Sequence, residues 1–184
     1  SHADHVHGID DLRMIVFNMH NRVPVYADGE TQNALLSRFG YAFVQPEGSP
    51  YPPILDLRTI DGAFSIDGPG GEIPFLPFEV NHGAMDALGF RIGSLAYLPD
   101  VAEIPDRSLA ALEGLDCWVL DALRRTPHPT HFSLEQALSW IARMQPKRAV
   151  LTNMHIDLDH DTITAETDDH ITPAYDGMVI EYPI

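Results

Sequence analysis

Two short runs, Cys117-Trp118-Val119-Leu120 and Ala149-Val150-Leu151-Thr152, are almost wholly apolar, and one amphipathic stretch lies between them. Runs of this length with apolar residues on both faces read as buried strands. The intervening stretch reads as a helix, because Leu134, Ala137, Leu138 and Ile141 recur on one face and Pro146 stops the pattern. Ser133 and Gln136 stand at capping-box spacing and mark its start. Two buried strands and an amphipathic helix, each apolar on a face, must cover one another in layers. The fold class is therefore α/β, built on a mixed sheet.

The remaining segments extend this arrangement. A helix is expected over Ile9–Met19, a short strand over Val23–Tyr26, and an amphipathic helix over Glu30–Phe39 that ends at Gly40. Strands over Glu72–Val80, Ala87–Ile92 and Leu95–Leu98, broken by Gly83 and Gly93, form an expected antiparallel meander. A short helix around Arg107–Leu112 and a last strand over Met178–Tyr182 complete the reading. The Pro- and Gly-rich region from Pro46 to Pro77 reads as loops around short strands and not as a linker. No repeat is visible, and residues 1–184 are taken as one domain.

Charge narrows the partners. With 27 Asp and Glu against 11 Lys and Arg, the net charge is −16. Nucleic-acid affinity comes largely from Lys and Arg displacing counterions, so a nucleic-acid partner is disfavoured, and an anionic membrane surface likewise. No apolar run approaches the ~18 residues of a membrane-spanning helix. A lone Cys117 cannot form an intramolecular disulfide, which fits a cytoplasmic setting. The chain opens on Ser1 within a His- and Asp-rich stretch, which reads as a fragment.

Ten histidines in 184 residues is the feature richest in chemistry. His2, Asp4 and His5 place imidazoles and a carboxylate within four positions, a ligand mixture suited to Zn²⁺, Mn²⁺ or Fe. Alone, that cluster reads equally well as a solvated terminus. His82, Asp100 and His155 each follow a separate predicted strand, at the C-terminal edge where open α/β sheets place their sites. Recurrence at one edge favours a metal site over three unrelated surface residues.

In this order the residues resemble the signature of the metallo-β-lactamase superfamily, His-x-His-x-Asp-His followed by a lone His, a bridging Asp and a final His. His2, Asp4 and His5 match its second His, its Asp and its third His; the first His falls before Ser1. His82 in Val80-Asn81-His82-Gly83, Asp100 in Tyr97-Leu98-Pro99-Asp100 and His155 in Leu151-Thr152-Asn153-Met154-His155 match the rest. Leu120–Arg124, His128–Ser133 and Pro173–Gly177 further resemble the phosphoribosyl cyclic phosphate phosphodiesterase branch. The resemblance implies an αββα sandwich, here lacking its first strands.

It also implies a dinuclear hydrolase binding two divalent ions, zinc or manganese. The first is expected on His2, His82 and the missing His, the second on Asp4, His5 and His155, with Asp100 bridging. Relatives often carry His where this chain has Asn153; residues 153 and 155 share a face if the strand continues, so His155 is taken as the ligand. A hydroxide bridging dications ~4 Å apart is the implied nucleophile. Asp100 and His131 are the expected catalytic residues, and His131 and His128 the expected phosphate-binding pair. His131 reads nearly as well as an ordinary residue at a helix start.

The implied activity is hydrolysis of a small cyclic or nucleotide-like phosphodiester. Alternatives on the same fold are an RNA-processing nuclease, which the charge opposes, a thioesterase, or a metal- or nucleotide-binding domain without turnover. A homodimer is compatible with the sequence. Asp121 and His7 could orient ligating histidines, whereas His20, His160, His170 and the acidic residues from Asp157 to Asp169 read as solvated surface.

Overall fold

The computed structural model describes residues 1–182. Packing divides the chain into two compact units, Ser1–Gly62 and a second beginning at Ala63. Each has its own apolar core.

The first unit opens with helix α1 (Ala3–Val6), a 3-10 turn over His7–Asp11 and helix α2 (Leu12–Met19). The single helix expected over Ile9–Met19 is thus split, and Gly8 and the pair Asp10-Asp11 are weak helix formers at the junction. Strand β1 (Val23–Ala27), helix α3 (Gly29–Phe43) and strand β2 (Leu55–Thr59) follow. The two strands pair in parallel, Val23 opposite Leu55 and Ala27 opposite Thr59, so α3 lies in the long connection that parallel neighbours require. Asp28 caps it, its carboxylate accepting the Thr31 N–H at 2.8 Å. Gly40 does not end this helix as expected. The chain bends at Phe39 (φ −130°, ψ 28°) and continues to Phe43, burying Ala42 and Phe43 with Leu35, Ile54 and Leu55. A helical glycine costs about 1 kcal/mol, less than the roughly 1.5–3 kcal/mol gained by burying a Phe side chain.

The second unit is a seven-stranded sheet flanked by helices. Its strands are β3 (Phe64–Gly68), β4 (Gly71–His82), β5 (Met85–Ile92), β6 (Leu95–Leu98), β7 (Cys117–Asp121), β8 (Arg148–Thr152) and β9 (Ile171–Pro173), in that order across the sheet. Strands β4 to β6 are the expected antiparallel meander, β3 adds an antiparallel strand at its outer side, and β6 to β9 pair in parallel. Helix α4 (Leu134–Met144) joins β7 to β8 and buries Leu134, Ala137 and Ile141. Its capping box is present: Ser133 Oγ accepts the Gln136 N–H, and Gln136 Oε1 accepts the Ser133 N–H. Trp118, Leu120, Phe132, Ile141 and Leu151 are at most 2% exposed and form the centre of this core.

The expected last strand is corrected here. Met178–Tyr182 is not a strand; the sheet closes earlier, at β9. Beyond it, Met178 N–H turns back to the Tyr175 carbonyl, and Tyr182 is tied by its hydroxyl to the Asp116 carboxylate. The acidic tract is solvated surface, as expected, with Asp157, Asp159, Asp161, Asp168 and Asp169 all exposed. It contains helix α5 (His160–Glu166), capped by Asp159 and held by fully buried Ile163 while its acidic side chains face water. Among the described residues, no helix is long and apolar enough to cross a membrane.

Strand direction sets up the site. Strands β4 and β6 both run antiparallel to β5, so they point the same way, and β7 and β8 run parallel to β6. The C-terminal ends of β4, β6, β7 and β8 therefore share one edge. Along that edge stand His82, Asp100, Asp121 and Asn153.

Candidate metal centre

His82 ends β4 and is 2% exposed. Its Nδ1 donates to the Thr130 carbonyl at 2.6 Å. Because a carbonyl can only accept, the proton is fixed on Nδ1 and the lone pair on Nε2, the arrangement a metal-ligating histidine needs. Gly83 makes this approach feasible. Its φ is +79°, and a Cβ there would lie 2.4 Å from Thr130 Cγ2. Gly83→Ala is therefore expected to destabilise the protein by about 2 kcal/mol, from strain and overpacking together, and to weaken metal binding by displacing Thr130 from His82. Chemical denaturation and metal titration of the variant check both effects.

Asp100 lies two residues beyond β6 and is 8% exposed. Asp121 ends β7 and is fully buried. The Asp121 Oδ2 accepts from Val101 N–H at 3.1 Å, Phe132 N–H at 3.4 Å and His131 Nδ1 at 2.9 Å. Burial pushes its carboxyl up to about 8, aided by the Asp100 charge and opposed by the N–H groups of Val101 and Phe132 and the Asn153 amide. With two backbone donors already on Oδ2, the shared proton belongs on His131 Nδ1, which puts the His131 lone pair on Nε2.

His82, Asp100 and His131 offer donor atoms that all lie within 4.8 Å of one another. The His131 ring packs edge-on against that of His82, with centroids 4.7 Å apart. Two imidazoles and a carboxylate, withdrawn from water and with the tautomers of both rings fixed by acceptors, fit a divalent ion such as zinc or manganese. His128 is half-buried, its ring 5.3 Å from that of His131. Burial and the neighbouring charges of Arg124, His131 and His82 hold it below the usual histidine range.

The expected last ligand is not in this cluster. The premise that β8 continues through residue 155 fails, because β8 ends at Thr152 and Asn153 adopts a left-handed conformation (φ 60°). The backbone of His155 is pinned by its N–H to the Leu123 carbonyl at 2.7 Å. Its exposed ring pairs with Asp157 at 3.1 Å. Asn153 takes the inner position, its amide Nδ2 donating to the Pro99 carbonyl, Asp100 Oδ1 and Asp121 Oδ1 at 3.3–3.4 Å. Three acceptors around one nitrogen orient that amide.

His2, Asp4 and His5 lie in the first unit. His2 precedes α1 and the other two are on it; all three are exposed, and Asp4 Oδ2 lies 3.5 Å from His5 Nε2. His7 packs edge-on against Phe39.

Metal-competent side chains at the carboxyl edge of a mixed sheet define a protein of the metallo-β-lactamase fold class. The model of the beta-lactamase superfamily domain matches residues 1–156, and the chain belongs to that superfamily. It is similar to a crystal structure described as a new diphosphatase from the PhnP family, with a TM-score of 0.87 and 34% identity over 100% of this chain and 69% of that one. It is also similar to a metallo-beta-lactamase fold protein, YhfI, from Bacillus subtilis, with a TM-score of 0.72 over 97% of this chain and 73% of that one. At 15% identity that likeness shows the fold alone. An octanoyltransferase from Porphyromonas gingivalis (strain ATCC BAA-308 / W83) is 30% identical over 184 residues, taking in 96% of this chain and 35% of that protein. The chain thus spans about a third of that relative.

Proposed function

We propose that this chain is a metal-dependent phosphodiesterase acting on a small cyclic or nucleotide-like phosphate. The observation that carries the reading is the convergence of His82 and Asp100 with the Asp121–His131 pair at one sheet edge. The likeness to a protein described as a PhnP-family diphosphatase supports it. In this reading His82 and Asp100 hold a divalent ion, zinc or manganese. The ion would supply Lewis-acid chemistry, polarising the phosphoryl group and activating water. On the order of the motif in the sequence alone, His2, Asp4 and His5 are further ligands and the ions number two. Metal analysis of Asp4→Ala, with fewer ions per chain than wild type as the expected result, tests that count.

The chain's own acid–base work falls to His131. Asp121 holds its ring with the proton on Nδ1 and stabilises the imidazolium that forms when Nε2 is protonated. Protonated His131 binds the phosphate and gives its proton to the departing alkoxide. His131→Ala is expected to slow turnover by roughly 10²-fold, within the usual range for a positioned acid, with metal content unchanged. Loss of metal together with activity would reassign His131 as a ligand.

The test of the reading is hydrolysis of bis(4-nitrophenyl) phosphate by the metal-loaded chain, alongside an octanoyl thioester and RNA. Phosphodiester cleavage that a chelator abolishes is the expected result. Preferential cleavage of the thioester would replace the proposal with the acyl chemistry named for the Porphyromonas relative, and preferential cleavage of RNA with a nuclease.

A further inference from the structure

We infer that Asn153 reads a hydroxyl group on the substrate, so that the chain prefers phosphate esters of a diol, polyol or sugar, with a free hydroxyl beside the esterified one, to esters of a simple alcohol. The inference rests on the phosphodiesterase reading and adds to it the residue that recognises the ester group. Its starting point is a backbone outlier. Asn153 directly follows β8 with φ 60°. Among the described residues, the other non-glycine positions of positive φ, His20 and Gln145, end helices, where that conformation is common. Asn153 caps no helix. Its left-handed turn instead brings the side chain inward, toward Asp100 and Asp121, the kind of local strain that marks functional sites.

The amide has one sensible orientation. Nδ2 stands 3.3–3.4 Å from the Pro99 carbonyl, Asp100 Oδ1 and Asp121 Oδ1, so that end carries the N–H donors. The carbonyl oxygen, on the other side of the amide carbon, is turned away from those three acceptors, and the residue is exposed. The same nitrogen lies 3.3 Å from His131 Nδ1, beside the ring that gives its proton to the departing alkoxide. The amide therefore places an acceptor next to the departing oxygen, where a neighbouring hydroxyl of the alcohol lies. Charge accounts for the residue type. A phosphate only accepts and is served by donors such as His131, whereas a hydroxyl also needs an acceptor. Asp100 and Asp121 already bring two carboxyl groups to this edge, and a third would repel the phosphate. An amide oxygen accepts without charge, and a site that offers a hydroxyl its partner discriminates against the analogue lacking it.

The experiment compares binding of glycerol 3-phosphate and n-propyl phosphate to the metal-loaded full chain by calorimetry, since the two ligands share a carbon chain and a phosphate and differ only in hydroxyls. Wild type is expected to bind glycerol 3-phosphate about tenfold more tightly, the value of one hydrogen bond. Asn153→Gly tolerates the positive φ but has no amide, and should bring the ratio close to one. Asn153→Asp also tolerates this φ and keeps an acceptor; its charge should weaken both ligands while the preference survives. No preference in wild type, an unchanged ratio in Asn153→Gly, or a ratio of one in Asn153→Asp overturns the assignment. Failure of the phosphodiesterase reading is seen separately, as absence of bis(4-nitrophenyl) phosphate hydrolysis by wild type.

Discussion

Replacing His82 with alanine is expected to remove bound divalent metal and to lower kcat/KM for a phosphodiester by roughly 10³-fold, about 4 kcal/mol of transition-state stabilisation. The size of the effect follows from how little about this residue is adjustable. The side chain is 2% exposed, its Nδ1 is committed to Thr130, and Gly83 is there to let Thr130 come close. Its neighbours have contacts of their own, His131 Nδ1 with Asp121 and His128 Nδ1 with Thr130. Elemental analysis after dialysis, together with steady-state kinetics, reads the effect. A folded His82→Ala protein with full metal content would remove His82 from the ligand set.

Asp121→Ala is expected to cost about 3 kcal/mol of stability, because it strands the backbone N–H groups of Val101 and Phe132 and frees the His131 ring. Asp121→Asn separates stability from chemistry. With its amide oxygen in the Oδ2 position the side chain still accepts from Val101, Phe132 and His131, but it carries no negative charge to stabilise the imidazolium, so activity is expected to fall roughly 10²-fold while the fold persists. The pH dependence has a definite sign. Without metal, burial holds the folded carboxyl up at about 8, above the ordinary value of 3.8, so between those values the Asp121–His131 pair of the metal-free folded protein keeps a proton that the unfolded chain has released. Stability of the metal-free wild type therefore falls as pH rises through this window and levels off above it. Asp121→Asn should lose that part of the slope. Denaturation of both proteins across the pH range checks it, and parallel curves would contradict the assignment.

Much of the second unit is readable from side-chain pattern. The buried runs of β7 and β8, the capping box at Ser133 and the meander over β4 to β6 depend on local spacing, and each is present in the fold. The first unit is less legible. Gly40 looks like a helix stop, but burial of Ala42 and Phe43 outweighs its propensity. At the site, His82 and Asp100 can be picked out because imidazoles and carboxylates at strand ends are conspicuous, whereas His131, in the loop before α4, is indicated only by the family resemblance. Strand alternation points to His155 in place of Asn153, a rule that lapses where the backbone turns left-handed. An asparagine just past a strand is a cue for that turn, since Asn tolerates positive φ better than most residues. Thr130 could not have been found this way. It acts through its peptide carbonyl and N–H, which every residue possesses.

The central claim is that one sheet edge of this chain holds divalent metal for phosphodiester hydrolysis. It is tested most directly by bis(4-nitrophenyl) phosphate hydrolysis before and after chelation, with metal content measured on the same samples. The account predicts bound zinc or manganese, cleavage that stops when the metal is removed, and cleavage that returns when it is restored. A fully folded protein that takes up neither ion and cleaves no phosphodiester would contradict it.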